Sequence, residues 1–176
     1  MSKKIVITGG LGYIGTELCK LYSGVSWNNT IIVIDNRFIS ERVNQLRNWN
    51  MEFVHGDILD KELIKRYCSD ADVVHHLAGV TDVPRTKNES NAEIDIKIKK
   101  VGEEGTQNIL EAISDNCKII FPSTHVVYEG IEKIQNEITE DEELKPVLSY
   151  SNSKAFNEKQ LKNSGKNYVI LRLGSV

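Results

Sequence analysis

Six short apolar runs alternate with longer, more polar stretches along the whole chain. The runs occupy residues 4–9, 30–35, 51–56, 72–79, 118–124 and 168–174. They are rich in Ile and Val and nearly continuous, which is typical of strands buried on both faces of a parallel sheet. The stretches between them predict helices over residues 12–23, 41–48, 60–69, 91–115 and 149–164. This alternation predicts one α/β domain over residues 1–176, a doubly wound parallel sheet with helices on both faces.

Two segments between the runs carry further local signals. The stretch "DILDKELIKRYC" (57–68) opens with an aspartate that can cap a helix, and it places Leu63, Ile64 and Tyr67 at helical spacing. The acidic segment 136–146 contains a proline and has no clear period. It is therefore interpreted as a surface loop.

Composition excludes several function classes. The net charge is −3 and the basic residues are scattered among acidic ones, so there is no basic stripe for nucleic acid and no polybasic flank for a membrane surface. The longest apolar runs, such as residues 31–34, are too short to cross a bilayer. Cys19, Cys68 and Cys117 are widely spaced, without a metal-type pairing. They are expected to be free thiols of a cytoplasmic protein.

A glycine-rich segment, "ITGGLGYIG" (7–15), follows the first run and opens the first predicted helix. Gly9 would allow a sharp exit from the strand, Gly12 a close approach of the backbone to a pyrophosphate, and Gly15 close packing of the helix on the sheet. The helix N-terminus would then hold the phosphate oxygens. The series alone is weak support, because glycine-rich turns are common.

The acidic residue Asp35 strengthens this hypothesis, since it lies 20 residues beyond Gly15 at the end of the second run. A carboxylate in this position can accept both hydroxyls of an adenine ribose and would repel a 2′-phosphate. The alternative is that Asp35 merely ends a strand. Arg37 could pair with a 2′-phosphate, so the sequence favours NAD over NADP without excluding the latter.

The segment "YSNSK" places Tyr150 and Lys154 on one face of the last predicted helix. A tyrosine normally ionises near pH ~10. A nearby ammonium and an oxidised nicotinamide ring would favour the phenolate, and lowering the pKa by ~3 units needs roughly 4 kcal/mol. The alternative is an ordinary surface pair. Ser123 and Thr124 end the fifth run and could hold a substrate oxygen beside the tyrosine.

These pieces resemble the extended short-chain dehydrogenase/reductases, also called the NAD-dependent epimerase/dehydratase family, which have a Rossmann fold. The resemblance extends over the chain and rests on an ordered series of motifs: "TGGLGYIG", "VIDN", "HGDI", "VVHHLAG", "GTQNILEA", "STHVVYEG", "ITEDEELKP", "YSNSK" and "ILRLGSV".

The resemblance implies an NAD site and a catalytic set. The catalytic residues would be Thr124, Tyr150 and Lys154. Tyr150 would take the proton of a sugar hydroxyl, Lys154 would hold the nicotinamide ribose, and Thr124 would bind the reacting oxygen. The cofactor-binding residues, besides Tyr150 and Lys154, would be Gly9, Gly12, Tyr13, Ile14, Asp35, Asn36, Arg37, Asp57, Ile58, Leu77, Ala78, Gly79 and Thr81. No histidine is expected to be catalytic.

Two departures from the family pattern narrow the expected chemistry. Gly102 stands where the family usually has an asparagine near the nicotinamide, so one polar contact would be missing. His125 and Val126 follow Thr124, where sugar 4,6-dehydratases have Asp and Glu, which argues against a dehydratase. A nucleotide-sugar epimerase is favoured. A reductase, decarboxylase-like chemistry and a non-catalytic dinucleotide-binding module stay open.

The family comparison also bears on domains and partners. The chain ends with the sixth run, and the smaller domain that follows in this family, which binds the nucleotide-sugar substrate, is expected to be missing. The family commonly forms homodimers through the helices predicted near 91–115 and 149–164. The spacing of Ile94, Ile98, Val101 and Ile109 suits such a dimer, and it equally suits packing on the sheet.

Overall fold

The structure, a computed structural model, describes residues 2–80, 86, 89, 91–132 and 137–174. Within them lies a six-stranded parallel sheet of order β3-β2-β1-β4-β5-β6. The strands are β1 (Lys4–Thr8), β2 (Thr30–Asp35), β3 (Glu52–His55), β4 (Val73–His76), β5 (Lys118–Thr124) and β6 (Asn167–Leu173). This order is the doubly wound one, and it confirms the predicted fold class.

Helices connect successive strands. They are α1 (Tyr13–Tyr22), α2 (Ser40–Asn48), α3 (Lys61–Cys68), α4 (Ala92–Lys99), α5 (Gly105–Ala112) and α6 (Ser149–Asn163). The cap of α3 is Asp60 and not Asp57, the aspartate that opens the segment: the Asp60 side chain accepts a hydrogen bond from Leu63 N at 3.0 Å. Residues 137–146 contain neither helix nor strand, in agreement with the predicted loop.

The prediction of one continuous helix over residues 91–115 is wrong. A π-helical turn, Lys100–Glu104, separates α4 from α5. Side-chain amides of α6 reach this wider turn: Asn157 Nδ2 donates to Gly102 O and Gln160 Nε2 to Glu103 O, both at 3.1 Å. The hydrophobic period of the sequence cannot predict such a turn. The amide groups that donate to the carbonyl oxygens of the turn belong to a helix about fifty residues further along the chain.

The apolar spacing on this helical segment serves packing within the chain. Ile98 and Ile109 are buried, and Val101 packs against the core that contains Ile109. Of the two interpretations of this spacing, packing within the chain therefore accounts for these three side chains. A homodimer through the same helices stays a prediction.

Two hydrophobic cores lie on opposite faces of the sheet. One, between the sheet and α1 and α2, is formed by Ile5, Ile7, Leu11, Cys19, Ile31, Val33, Val43, Leu46 and Met51. The other, beneath α3, α5 and α6, includes Cys68, Ile109, Cys117, Phe121 and Leu161. The three cysteines are buried free thiols, as expected. Burial raises the pKa of Cys19 and Cys68 to about 12 and that of Cys117 to about 11.

The described part of the chain contains no helix that is both long and apolar enough to cross a membrane. Its His, Cys, Asp and Glu side chains also form no group of three that could hold a metal ion.

Candidate functional site

The glycine-rich loop joins β1 to α1 in a conformation that few other residues allow. Gly9 has φ +70°, and a Cβ there would lie 2.6 Å from Ala78 N. The loop after β1 therefore comes into backbone contact with the loop after β4. A Cβ on Gly15 would lie 2.6 Å from Gly9 O, so the first turn of α1 packs directly on this loop.

The outer side of the same loop is open. Among the described residues, a Cβ on Gly12 would have two neighbouring atoms within 4 Å: Gly9 O at 3.1 Å and Arg37 Nη2 at 3.7 Å. Gly12 is the N-cap of α1, and the N–H groups of Tyr13 and Ile14 in its first turn have no acceptor within the helix. Both side chains are exposed. This bare helix N-terminus fits the phosphates of a dinucleotide.

Asp35 ends β2 with its carboxylate against this loop. Only 4% of the residue is exposed, and its Oδ2 accepts from Leu11 N at 2.9 Å. The side chain of Arg37 lies on the same carboxylate, with Nε 3.2 Å from Oδ1 and Nη2 3.3 Å from Oδ2. A ribose that bonds to Asp35 would thus compete with Arg37. Sequence reasoning placed both residues at the ribose but missed their mutual pairing.

Three more of the predicted cofactor-binding residues, Asn36, Asp57 and Ile58, follow the ends of β2 and β3. Asn36 Nδ2 donates to Asp57 Oδ2 at 3.0 Å, while Asp57 Oδ1 accepts from Leu59 N at 2.9 Å. Ile58 is buried, and its carbonyl oxygen accepts from Asn108 Nδ2 at 3.0 Å. These bonds fix the two loops relative to each other.

A narrow pocket near the carboxyl ends of β4 and β5 brings four more predicted residues together, Ala78, Gly79, Tyr150 and Lys154. It is also lined by Val80, Ile98, Gly102, Thr106, Phe121, Ser153 and Asn157. Leu77, by contrast, packs against the core under α1 and α2, and its N–H donates to Thr8 O. Thr81 lies outside the described residues.

Lys154 crosses from α6 to β5 at the base of this pocket. Its Nζ donates to Pro122 O at 2.9 Å and lies 4.4 Å from the centre of the Phe121 ring. Burial lowers the pKa of Lys154 to about 8, and the charge of Glu158 opposes this shift. The ammonium is thus held by one carbonyl, one aromatic ring and one buried carboxylate one helical turn away.

Tyr150 does not have the lowered pKa that the sequence suggested. Burial raises the pKa of its phenol above the ordinary value. Lys154 Nζ lies 5.9 Å from the centre of the Tyr150 ring. At this distance the ammonium does not outweigh the effect of burial in the protein alone. Burial therefore raises the pKa of Tyr150, because low-dielectric surroundings disfavour the charged phenolate.

The two hydroxyls at the end of β5 point to different partners. Thr124 Oγ1 accepts from Val126 N at 3.3 Å and caps the short 3₁₀ turn His125–Tyr128. Ser123 Oγ donates to the buried Glu158 Oε1 at 2.6 Å. The hydroxyl proton of Ser123 is thus used within the protein, and Thr124 is left as the candidate for holding a substrate oxygen.

Sequence reasoning missed the buried carboxylate of Glu158. Arg172 on β6 donates to it twice, from Nε to Oε1 at 3.0 Å and from Nη2 to Oε2 at 2.7 Å. Burial opposes ionisation, but these bonds and that of Ser123 hold the pKa of Glu158 below its usual value. The available signal was the four-residue spacing that continues from Tyr150 and Lys154 to Glu158.

His76 is a second buried polar residue whose contacts were not predicted, and its role is structural. Its Nδ1 lies 3.0 Å from Thr8 Oγ1 and its Nε2 3.0 Å from Thr106 Oγ1, which links β1, β4 and α5. Burial, with a smaller contribution from Lys154, lowers the pKa of His76 to about 3. The ring is therefore neutral at physiological pH.

Comparison with known proteins places this geometry in a family. Residues 5–176 match the model of the NAD dependent epimerase/dehydratase family. The chain is 38% identical over 149 residues to CDP-paratose 2-epimerase of Salmonella typhi, covering 78% of this chain and 41% of that protein. It is 31% identical over 185 residues to dTDP-D-glucose 4,6-dehydratase of Dictyostelium discoideum, covering 96% and 42%.

The fold of the chain is also similar to that of a solved epimerase structure. UDP-glucose 4-epimerase from Brucella ovis in complex with NAD matches with 28% identity and a TM-score of 0.77, over 97% of this chain and 51% of that one. The chain thus spans about half the length of the proteins that it matches. It belongs to the NAD-dependent epimerase/dehydratase family.

Proposed function

We propose that the chain binds NAD across the carboxyl edge of its sheet and carries the tyrosine base of a nucleotide-sugar epimerase. The observation that supports this most is the pocket in which Tyr150 and Lys154 meet Ala78 and Gly79. Backbone contact between Gly9 and Ala78 joins this pocket to the open glycine loop. Ligands of doubly wound sheets bind at this edge, and the Brucella ovis relative is in complex with NAD.

Asp35 supports the choice of NAD over NADP. Its buried carboxylate lies beside the glycine loop, where it would accept hydrogen bonds from the ribose hydroxyls and repel a 2′-phosphate. Arg37 is more than half exposed and is therefore free to swing away when the ribose binds.

The contacts of each side chain are compatible with the catalytic roles that the family resemblance implies. Bound NAD would supply the ring that accepts a hydride and returns it. Tyr150 would remove the proton of the sugar hydroxyl, with the Lys154 ammonium stabilising the phenolate. Since Thr124 Oγ1 accepts from Val126 N, its own hydroxyl proton remains available to the reacting oxygen. His125 and Val126 offer no carboxyl group for the elimination of water, which favours an epimerase over a dehydratase.

A non-catalytic dinucleotide-binding module is the second candidate. Gly102, in place of a polar residue beside the pocket, and the raised pKa of Tyr150 favour it. A nucleotide-sugar reductase would use the same residues and would differ in consuming NADH and releasing NAD⁺.

The deciding experiment combines cofactor titration with a tyrosine variant. NAD⁺ should bind saturably and more tightly than NADP⁺, measured by calorimetry. In a longer protein that carries this chain together with the substrate-binding domain, turnover of CDP-, UDP- and dTDP-linked hexoses should fall by about 10²–10⁴-fold in Tyr150→Phe, with NAD⁺ affinity within a few-fold of the original. Tyr168→Phe, on the half-exposed edge strand, is the matched control and should change neither quantity.

Each outcome has a defined meaning. A chain that binds neither coenzyme would refute the proposal, and full turnover in Tyr150→Phe would refute the assignment of the base. Saturable NAD⁺ binding without turnover of any sugar nucleotide in that longer protein would favour the dinucleotide-binding module, and robust turnover by the 176-residue chain alone would eliminate it.

A further inference from the structure

The π-turn lies unusually close to α6 at one point. A Cβ built on Gly102 would lie 2.3 Å from Ser153 Oγ, closer than any real contact permits. Asn157, one turn further along α6, holds Gly102 O at 3.1 Å. The hydroxyl of Ser153 therefore occupies the place where the side chain of residue 102 would begin.

Ser153 is a largely buried residue whose hydroxyl has no hydrogen-bond partner among the described residues. Only 5% of the residue is exposed. Every fully enclosed side-chain polar atom in the described part of the chain has a hydrogen-bond partner. Ser153 Oγ bonds to none of the described residues, so it must border the pocket that its residue lines. This hydroxyl is thus accessible from the pocket and free to form a hydrogen bond with a ligand there.

The position of Ser153 indicates which part of a dinucleotide would supply that partner. Ser153 is three residues from Tyr150 on α6, so the two side chains share a face of the helix. The adenosine end is assigned to Asp35 and the pyrophosphate to the loop at Gly12. The portion that reaches the pocket beside Tyr150 is then the nicotinamide riboside, whose hydroxyls and carboxamide can each pair with a serine hydroxyl.

We propose that Ser153 is a cofactor-contacting residue, whose Oγ hydrogen-bonds the nicotinamide-riboside half of NAD in the space that Gly102 leaves free. The inference rests on the proposed NAD site. It reverses the expectation from the sequence that Gly102 simply costs one polar contact, because the contact comes instead from the facing helix.

The test compares NAD⁺ with ADP, which lacks the nicotinamide riboside. Ser153→Ala should weaken NAD⁺ binding by about 3- to 10-fold, the value of one hydrogen bond, and leave ADP binding unchanged. Ser164→Ala, at the C-cap of the same helix, is the matched control and should alter neither affinity. A serine with a merely structural role would change both affinities together or neither.

A second substitution tests the same contact from the other side. Gly102→Ala would push the Ser153 hydroxyl away, so NAD⁺ binding should again weaken by about 3- to 10-fold with ADP unaffected. In the Ser153→Ala background the same change should have little further effect, because the atom it displaces is gone.

The two proposals fail in different ways. Failure of the unsubstituted chain to bind NAD⁺ would overturn the proposed function and this inference with it. Equal NAD⁺ affinities of the unsubstituted chain and Ser153→Ala, or equal losses for NAD⁺ and ADP, would overturn the Ser153 assignment alone.

Discussion

At the residue scale, Asp35 and Arg37 combine two opposing effects in one place. The Asp35 carboxylate favours ribose hydroxyls, while Arg37 occupies both of its oxygens from two residues away. The sequence shows both residues and their spacing, but not that they pair. That depends on the turn after β2, in which Arg37 N also donates to Asp35 Oδ1 at 3.0 Å.

Substitution of Arg37 by Met should sharpen the choice of coenzyme. The Asp35 oxygens would then be free for the ribose hydroxyls, and no cation would remain beside a 2′-phosphate. We expect NAD⁺ to bind a few-fold more tightly and NADP⁺ more weakly, measured by parallel calorimetric titrations. Lys20→Met, at the far end of α1, is the control for loss of a positive charge. A lower ratio of NAD⁺ to NADP⁺ affinity in Arg37→Met would contradict this account.

His76 makes the stability of the fold sensitive to acid. Its pKa is about 3 in the folded chain and about 6.5 when unfolded, so between these values only the unfolded chain binds the extra proton. Stability is therefore fully present above pH ~6.5 and falls as the pH falls. Between pH 6.5 and 5 the loss should be about 2 kcal/mol larger than in His76→Gln, measured by urea unfolding. Identical pH profiles would rule out this role.

At the scale of elements, α6 contributes most of the described chemistry. Tyr150, Ser153 and Lys154 line the pocket, and Glu158 anchors the same helix to β5 and β6. The i, i+4 spacing was sufficient to predict that Tyr150 and Lys154 share one face of α6. It could not identify Glu158 as buried, because its partners Ser123 and Arg172 belong to strands that are distant in sequence.

Removal of the Glu158 charge should destabilise the fold severely. In Glu158→Gln, the buried guanidinium of Arg172 would lose its counter-ion, at a cost of about 3–5 kcal/mol. The matched control is Glu111→Gln, which breaks the exposed pair with Lys61 and should have little effect. Both are measured by urea unfolding at neutral pH. A loss in Glu158→Gln no larger than that in the control would contradict the proposed anchoring.

The π-turn illustrates what a local pattern cannot predict. An ordinary helix accounts for the spacing of Ile94, Ile98, Val101 and Ile109. From the sequence alone, Gly102 indicated only that a polar contact to the nicotinamide would be missing. In the fold, Gly102 allows the approach of α6, and the amides of Asn157 and Gln160 complete the turn. The helix type is thus set by tertiary contacts, whereas the existence of a helical segment was readable from the period.

At the scale of the whole molecule, the parallel sheet and the helical layers were predictable because they depend on chain-wide repetition. Six Ile- and Val-rich runs that alternate with helical stretches indicate a parallel sheet, and right-handed crossovers place the connecting helices on its two faces. The positions of site residues at the carboxyl edge follow from this topology. Their mutual distances do not, since these depend on loops such as those after β2 and β4.

NAD⁺ should stabilise the whole fold, because its proposed site joins loops from both halves of the sheet. At a concentration 100 times Kd, binding to the folded chain alone adds about 2.7 kcal/mol. For a domain of this size, that corresponds to a rise in Tm of roughly 5–10 °C. Thermal unfolding followed by circular dichroism measures it, with nicotinamide mononucleotide as the control ligand. An unchanged Tm at saturating NAD⁺ would be incompatible with the site.

The three buried cysteines can report local opening of the two hydrophobic cores. Cys19 lies in the core beneath α1, and Cys68 and Cys117 lie in the core on the opposite face. With pKa values of about 11 to 12, none of them forms an appreciable amount of thiolate while enclosed. An alkylating reagent therefore modifies each sulfur only when its own layer opens. Mass spectrometry of the alkylated peptides would time the opening of the two faces independently, without any engineered label.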